Sequence, residues 1–121
     1  MPIYQPSKLL PTIVETATFS RQIDGLLDKD GIGELMAALA DDPLAGDPIP
    51  ETGGVRKMRF ARPGSGKSGG LRIIYWFLNE SAPLFALLAY GKSSQGDLSP
   101  EQKKTAKTLV EKLKAIYSRK Q

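Results

Sequence analysis

The chain has 121 residues, with 17 basic and 13 acidic side chains, a formal net charge of +4, and neither cysteine nor histidine. This length predicts a single domain over residues 1–121, in which residues 1–11 form a loose N-terminal segment. The lack of cysteine excludes disulfides and zinc–thiolate sites. The lack of histidine excludes imidazole as a general base or a metal ligand. Any catalysis must therefore use lysine, arginine, tyrosine, serine or carboxylate side chains.

The hydropathy pattern gives no sign of a membrane segment. No apolar run approaches the roughly 18 residues that a membrane-spanning helix needs, and residues 1–10 have no apolar core of signal-peptide length. We therefore expect a cytoplasmic protein without a membrane partner.

Charge is distributed unevenly along the chain. Residues 1–51 hold three basic and nine acidic side chains, whereas residues 52–121 hold fourteen basic and four acidic ones. Six basic residues occur within residues 53–79 without any acid: Arg56, Lys57, Arg59, Arg62, Lys67 and Arg72. A field of one sign attracts polyanions such as nucleic acids. The alternative is a solvated basic face with no specific ligand.

The N-terminal half is predicted to form a short strand and two helices. Residues 12–16 are short and β-branched, which is typical of a strand. Apolar residues then follow at helical spacing, at Phe19, Ile23, Leu26 and Leu27. A second helix is expected to have Asp30 as its N-cap and to end before Pro43. Residues 43–54, rich in Pro, Gly and Asp, are predicted to form an ordered loop.

The C-terminal half is predicted to form three antiparallel strands, at residues 55–61, 71–78 and 83–90, and a final helix. The last two strands are apolar on both faces, which indicates that both faces are covered. In the first strand Met58 and Phe60 alternate with Lys57 and Arg59, so the basic pair shares one face. Ser99, Pro100 and Gln102 form the capping pattern of the final helix. The fold class is therefore α+β, with two N-terminal helices packed on a small curved antiparallel sheet and a C-terminal helix.

Residues 64–68 read Gly-Ser-Gly-Lys-Ser, which is part of a phosphate-binding loop pattern. The full pattern requires a glycine at position 61, where this chain has Ala61, and a helix directly after the loop. A strand is predicted there instead, so we expect no nucleotide cofactor. Lys67 either contacts a backbone phosphate or is simply solvated. Carboxylates, most of them in the N-terminal half, would be the available metal ligands, and we expect no metal.

The remaining candidate site is a basic sheet face that includes Lys57, Arg59, Arg72 and Lys92. In a three-stranded meander these positions can gather at one end of the sheet. Lysine and arginine can hold a phosphodiester and stabilise the charge of a pentacovalent transition state. In RNA the 2′-OH is an internal nucleophile, so such an enzyme can act by positioning and electrostatics. The alternative is solvent-facing charge on an edge strand, which discourages aggregation.

Five stretches, at residues 42–50, 53–60, 66–70, 72–75 and 87–92, are informative through their order and spacing. Together they resemble the RelE/HigB superfamily of toxins, and most of all its HigB branch. The resemblance covers roughly residues 12–117. It implies two N-terminal helices on a small antiparallel sheet with a C-terminal helix, as the pattern of elements predicts separately.

The resemblance implies the toxin of a toxin–antitoxin pair, an endoribonuclease (an mRNA interferase). It would enter the ribosomal A site and cut translated messenger RNA without metal or cofactor. Attack of the 2′-OH on the adjacent phosphate would leave a 2′,3′-cyclic phosphate and a 5′-OH. A cognate antitoxin, of helix-turn-helix type in the HigB branch, would neutralise the toxin.

The resemblance also implies roles for individual residues. Lys57 and Lys92 would act as general base or proton relay, and Arg59 and Arg72 would bind the phosphate and its developing charge. Contacts to the RNA backbone would come from Arg56, Arg62 and Lys67. Some family members use a tyrosine near the C-terminus, but residues 93–99 contain none and Tyr90 lies on a predicted strand.

Two alternative functions stay open at this point. The first is a catalytically inactive RelE-like module that binds RNA or a protein partner. The second is a DNA-binding or corepressor role that the chain exercises through an antitoxin complex.

Overall fold

The computed structural model describes residues 11–61, 70–91 and 95–118. In these ranges the elements are β1 (Ile13–Glu15), α1 (Ala17–Asp24), α2 (Lys29–Asp41), β2 (Asp47–Pro48), β3 (Arg56–Phe60), β4 (Leu71–Trp76), β5 (Leu84–Gly91) and α3 (Pro100–Ser118). The strands form one sheet in the order β1-β5-β4-β3-β2. The predicted α+β class is confirmed. The sheet is mixed rather than antiparallel, because β1 pairs with β5 in the parallel direction.

Helices cover both faces of the sheet. One core cluster joins α1 and α2 to the sheet and contains Phe19, Ile23, Leu35, Leu39, Ile73, Tyr75, Leu84, Ala86 and Ala89. The other joins α3 to the sheet and contains Val55, Ile74, Trp76, Phe85, Leu87, Tyr90, Leu98, Ala106 and Val110. We call the two sides the α1/α2 face and the α3 face. Alternate residues of β4 enter opposite clusters, so the prediction that the central strands are covered on both sides is confirmed.

Capping side chains fix the helix starts. Thr16 is the N-cap of α1, and its Oγ1 accepts a hydrogen bond from Phe19 N at 3.0 Å. The prediction of Asp30 as the cap of α2 is wrong: Asp28 Oδ1 accepts from Gly31 N at 2.8 Å. Asp30 lies in the first turn instead, where a carboxylate stabilises the positive end of the helix dipole. The first helix is shorter than its apolar spacing suggested, since α1 ends at Asp24 and Leu26 is exposed.

The capping pattern predicted for the last helix is confirmed. Ser99 Oγ accepts from Gln102 N at 3.1 Å, and Gln102 Oε1 accepts from Ser99 N at 2.9 Å. The two bonds satisfy two backbone N–H groups that the first turn of a helix leaves without partners. None of the described helices is long and apolar enough to cross a membrane.

The predicted loop at residues 43–54 is ordered and contains β2, which sequence patterns did not predict. Tyr75 Oη accepts a hydrogen bond from Gly46 N at 2.9 Å. A Cβ atom at Gly46 would lie 2.9 Å from the carbonyl oxygen of Lys57, so only glycine fits this close approach. Thr52, which is fully buried, donates from Oγ1 to Ile49 O at 2.7 Å and accepts from Val55 N at 3.1 Å.

A β-bulge in β5 changes the face that the end of this strand presents. Ile74 pairs with Leu88 and Tyr75 with Ala86, so Leu87 is an extra residue without a partner on β4. On a regular strand, residues an odd number of positions apart lie on opposite faces. Phe85, before the bulge, and Tyr90, after it, are an odd number apart, yet both lie on the α3 face. The bulge therefore shifts the alternation of β5 by one residue.

Side chains of α1 satisfy backbone groups at the bulge. Thr16 Oγ1 donates to Leu87 O at 3.1 Å, and Gln22 Oε1 accepts from Ala89 N at 2.9 Å. Buried backbone groups that lose a ladder partner need another partner. The position of the bulge thus depends on α1, which lies far from β5 in the sequence.

Candidate active site

On the α3 face, a row of three polar side chains crosses the three central strands. Arg59 of β3 is the register partner of Arg72 of β4, and Arg72 is the partner of Tyr90 of β5. Lys57 shares this face because it lies two residues from Arg59 along β3, and its own partner is Ile74. We call these four side chains the basic site. The structure thus brings together three of the predicted catalytic residues and adds Tyr90.

The arginine pair gives the basic site the character of an anion-binding site. Directly opposed residues of antiparallel strands have Cβ atoms about 4.5–5.5 Å apart, and like charges in such a pair are destabilising. The Nη1 atom of Arg72 is buried and has no hydrogen-bond partner among the described residues. A guanidinium group with a free donor beside a second arginine can bind a phosphate or carboxylate.

Tyr90 is buried, with 6% of its surface exposed, and its hydroxyl donates to Gly96 O at 3.0 Å. Burial raises the pKa of Tyr90 above its ordinary value of 10.0, and the negative charge of Asp97 acts in the same direction. The positive charges of Lys57 and Arg72 partly oppose this rise in the pKa. The phenol is therefore protonated at neutral pH and can serve as a proton donor.

Lys57 pairs with an acid that the sequence analysis did not single out. Lys57 Nζ donates to Asp97 Oδ1 at 2.9 Å, and the side chains of Lys57 and Asp97 are 32% and 84% exposed. The hydrogen bond from Lys57 and its positive charge lower the pKa of Asp97 below its ordinary value of 3.8. One signal could have identified Asp97, since it is the sole acidic residue between Glu80 and Glu101.

The segment that carries Asp97 is fixed by hydrogen bonds to its own backbone and to α3. Gln95 Nε2 donates to Asp97 O and to Gln102 Oε1, each at 3.0 Å. Gln102 Oε1 is also the acceptor in the capping pair with Ser99. The start of α3 therefore determines where Asp97 lies relative to the basic site.

Arg56 lies on the opposite side of the sheet. Its register partner is Tyr75, which belongs to the core under α1 and α2. Arg56 Nη1 donates to Gly46 O at 2.7 Å and to Leu44 O at 3.3 Å, so it anchors the ordered loop. The structure does not bring Arg56 together with the basic site, and RNA binding by Arg56 stays a prediction. Three further predicted residues, Arg62, Lys67 and Lys92, lie outside the described residues.

An open groove of about 800 Å³ lies on the α3 face between the first half of α3, β5 and the start of α1. Leu87, Leu88 and Leu109 contribute its apolar walls, and its charged lining residues are Glu101 and Lys104. The groove is separate from the basic site, because it contains none of the four side chains that form that site. Within the described ranges, no three His, Cys, Asp or Glu side chains gather in a way that could hold a metal ion.

Comparison with protein families identifies the family of this chain. A family model described as the RelE toxin of the RelE / RelB toxin-antitoxin system matches residues 28–121. The match begins at Asp28, the N-cap of α2, and includes β3, β4 and β5, which carry the basic site. Toxins of such systems act together with a cognate antitoxin. The chain therefore belongs to the RelE family and is the toxin of a toxin–antitoxin system.

Proposed function

We propose that this toxin is an endoribonuclease that cuts messenger RNA during translation on the ribosome. The observation that carries the proposal is the opposed pair Arg59 and Arg72 next to Lys57 and Tyr90, in which Arg72 Nη1 has no hydrogen-bond partner among the described residues. This set offers two guanidinium groups, an ammonium group and a protonated phenol. The guanidinium and ammonium groups can hold the phosphate and its developing charge, and the phenol can supply a proton to the departing oxygen, while the substrate supplies the nucleophile.

In the proposed reaction the RNA attacks itself. The 2′-oxygen forms a bond to the adjacent phosphorus, and the bond from that phosphorus to the 5′-oxygen of the next nucleotide breaks. The 2′-OH gives up its proton, and the departing 5′-oxygen accepts one. The products are a 2′,3′-cyclic phosphate and a 5′-OH; no water is consumed, and no metal or nucleotide cofactor takes part.

Each side chain of the basic site has a role in this proposal. Arg59 and Arg72 bind the non-bridging phosphate oxygens and stabilise the negative charge that grows on them. Lys57, together with Lys92, relays the proton of the 2′-OH: its partly exposed ammonium group passes a proton to solvent as it takes up that of the hydroxyl. Tyr90, the register partner of Arg72, has a phenol that is protonated at neutral pH and donates the proton to the departing oxygen.

The proposed partners follow from the family. The toxin acts on the ribosome, where its substrate is translated messenger RNA, so its site of action is the cytoplasm. Its antitoxin is proposed to be a helix-turn-helix protein, as in the HigB branch. Arg56, Arg62 and Lys67 remain the proposed contacts to the RNA backbone.

Inducible expression in a bacterial host, combined with mapping of messenger RNA 5′ ends, tests this proposal. Three chains are compared: the wild type, Arg59→Gln, and Arg21→Gln as a control of equal charge. Arg59 and Arg21 are both exposed, and Arg21 lies on α1, across the sheet from the basic site. We expect new 5′-OH ends within translated frames for the wild type and Arg21→Gln, and few or none for Arg59→Gln.

Two other results would argue against the proposal. Growth arrest by the wild type without new 5′ ends would identify a binding module of the RelE type that does not cleave. Equal cleavage by Arg59→Gln and Arg21→Gln would show that the opposed arginine pair is not the phosphate site.

A further inference from the structure

We propose that Asp97 competes with RNA phosphate for Lys57 and thereby favours extended RNA over small anions at the basic site. The inference rests on the proposed function, because it assumes that RNA phosphate binds beside Lys57. It gives Asp97 a role in specificity that is distinct from catalysis. It predicts that Asp97 weakens RNA binding instead of supporting it.

The contact itself is direct. The Lys57 ammonium donates to Asp97 Oδ1 at 2.9 Å, so a carboxylate occupies one of its three donors and places a negative charge beside any phosphate that binds the other two. Lys103, at the start of α3, is a second positive charge that acts on Asp97. A phosphate and a carboxylate cannot both occupy this place without strong repulsion between two like charges.

The location of Asp97 is a product of the fold. Its carbonyl oxygen accepts from Gln95 Nε2 at 3.0 Å, and the preceding carbonyl, of Gly96, accepts from the Tyr90 hydroxyl at 3.0 Å. Two residues later Ser99 forms the capping pair with Gln102. Hydrogen bonds therefore fix the backbone both before and after Asp97. The one described hydrogen bond of the Asp97 carboxylate itself is the bond from Lys57.

The exposure of the pair makes the carboxylate replaceable. The Asp97 side chain is 84% exposed, and water screens an ion pair in such a position. A single phosphate gains little by replacing it, since one anion takes the place of another. A strand whose neighbouring phosphates also reach Arg59 and Arg72 gains additional contacts. Asp97 would thus favour extended RNA over small anions.

Binding measurements on two matched variants test the inference. Asp97→Asn removes the competing charge, whereas Glu101→Gln removes an exposed charge from the first turn of α3 without touching Lys57. The probe is a fluorescent single-stranded RNA with 2′-O-methyl riboses, which has no free nucleophile. We expect Asp97→Asn to bind about two- to five-fold more tightly than wild type, the range for an exposed ion pair. Glu101→Gln should bind with nearly wild-type affinity.

A double-mutant cycle separates competition from a general effect of charge. In a Lys57→Met background, Asp97→Asn should no longer increase the affinity, because the contested ammonium is absent. The salt dependence gives a second readout: we expect the slope of log affinity against log salt to be steeper for Asp97→Asn by about 0.7, the value for one more neutralised phosphate on a single strand.

Several outcomes would overturn the inference. Equal gains in affinity for Asp97→Asn and Glu101→Gln would indicate a general charge effect. A gain that persists with Lys57→Met would remove Lys57 from the explanation, and weaker binding by Asp97→Asn would show that Asp97 supports RNA binding. If no variant bound the free RNA, the competition proposed for Asp97 would be overturned, whereas the proposed cleavage on the ribosome would still be decided by the mapping of messenger RNA 5′ ends.

Discussion

Arg59 of β3 and Arg72 of β4 are register partners, and both side chains lie on the sheet face that α3 covers in part. Such an arrangement of like charges costs stability. It is maintained here because the register of β3 and β4 is set elsewhere, by Ile73 and Tyr75 in the core under α1 and α2. The pair is therefore not what holds the sheet together, and the proposed binding of phosphate would account for it.

The first prediction concerns the two consequences of replacing Arg59. Arg59→Gln should reduce RNA cleavage by about 100-fold, as expected for the loss of one donor to a transition-state anion. The free energy of unfolding should stay the same or rise by about 0.2–1 kcal/mol, because a repulsive cross-strand pair is removed. Urea unfolding and a cleavage assay with purified ribosomes check both expectations. A decrease in the free energy of unfolding for Arg59→Gln would contradict the second expectation, because the loss of cleavage could then come from partial unfolding.

The second prediction uses the pKa of Tyr90. Burial raises this pKa above 10.0, so the folded protein should release the proton of this phenol at a higher pH than the unfolded chain does. The stabilising contribution of neutral Tyr90 is complete below pH 10.0 and is lost as the pH rises through the folded-state pKa. Titration of tyrosinate absorbance should show a late step that is smaller in Tyr90→Phe than in the wild type, and the part that stays belongs to Tyr75, whose pKa burial also raises.

Tyr90→Phe should also lower the rate of RNA cleavage by about 100-fold or more, which is the usual contribution of a general acid. Tyr117→Phe is the matched control, since Tyr117 packs on Phe85 with ring centroids 5.8 Å apart, away from the basic site. A Tyr90→Phe protein with wild-type activity would exclude Tyr90 as the proton donor.

The third prediction tests the link between α1 and the bulge. Thr16→Val removes both the acceptor for Phe19 N and the donor to Leu87 O, and should cost about 1–3 kcal/mol of stability. Thr16→Ser keeps the hydroxyl and should be much closer to wild type. Hydrogen exchange at the Ala89 amide, measured beside chemical unfolding, reports on the bulge directly. Equal behaviour of the two variants would mean that the hydroxyl does not hold the bulge.

The fourth prediction compares two glycines. At Gly46 an added Cβ would lie 2.9 Å from Lys57 O and from Tyr75 Oη, so Gly46→Ala must displace β3 or the loop and should be destabilising. At Gly33, inside α2, nothing lies within 4 Å of an added Cβ. Gly33→Ala should therefore stabilise the protein by about 0.5–1 kcal/mol through helix propensity. Thermal unfolding of the two variants should shift in opposite directions, and shifts of the same sign would refute the comparison.

Local patterns in the sequence were sufficient for much of the fold. The alternation of Met58 and Phe60 with Lys57 and Arg59 placed two basic residues on one face, because successive strand residues point to opposite sides. The capping pattern at Ser99 located the start of α3, because its bonds join residues three apart. Both features depend on near neighbours in the chain, and both were predicted correctly.

The composition of the basic site depended on the tertiary structure. Tyr90 joins Arg72 only because Leu87 is an extra residue in β5, and the bulge is completed by Thr16 and Gln22 of α1. Asp97 meets Lys57 across 40 residues of sequence.

The sequence by itself determined the α+β class, the absence of imidazole and thiol chemistry, and the basic strands. The tertiary structure decided that the sheet is mixed, that Arg56 donates to Gly46 O in the ordered loop, and that Tyr90 and Asp97 accompany the arginine pair. The physical reason is that hydrophobic period and capping are set by residues a few positions apart. Strand register, bulges and ion pairs between distant segments are set by the packing of the whole chain.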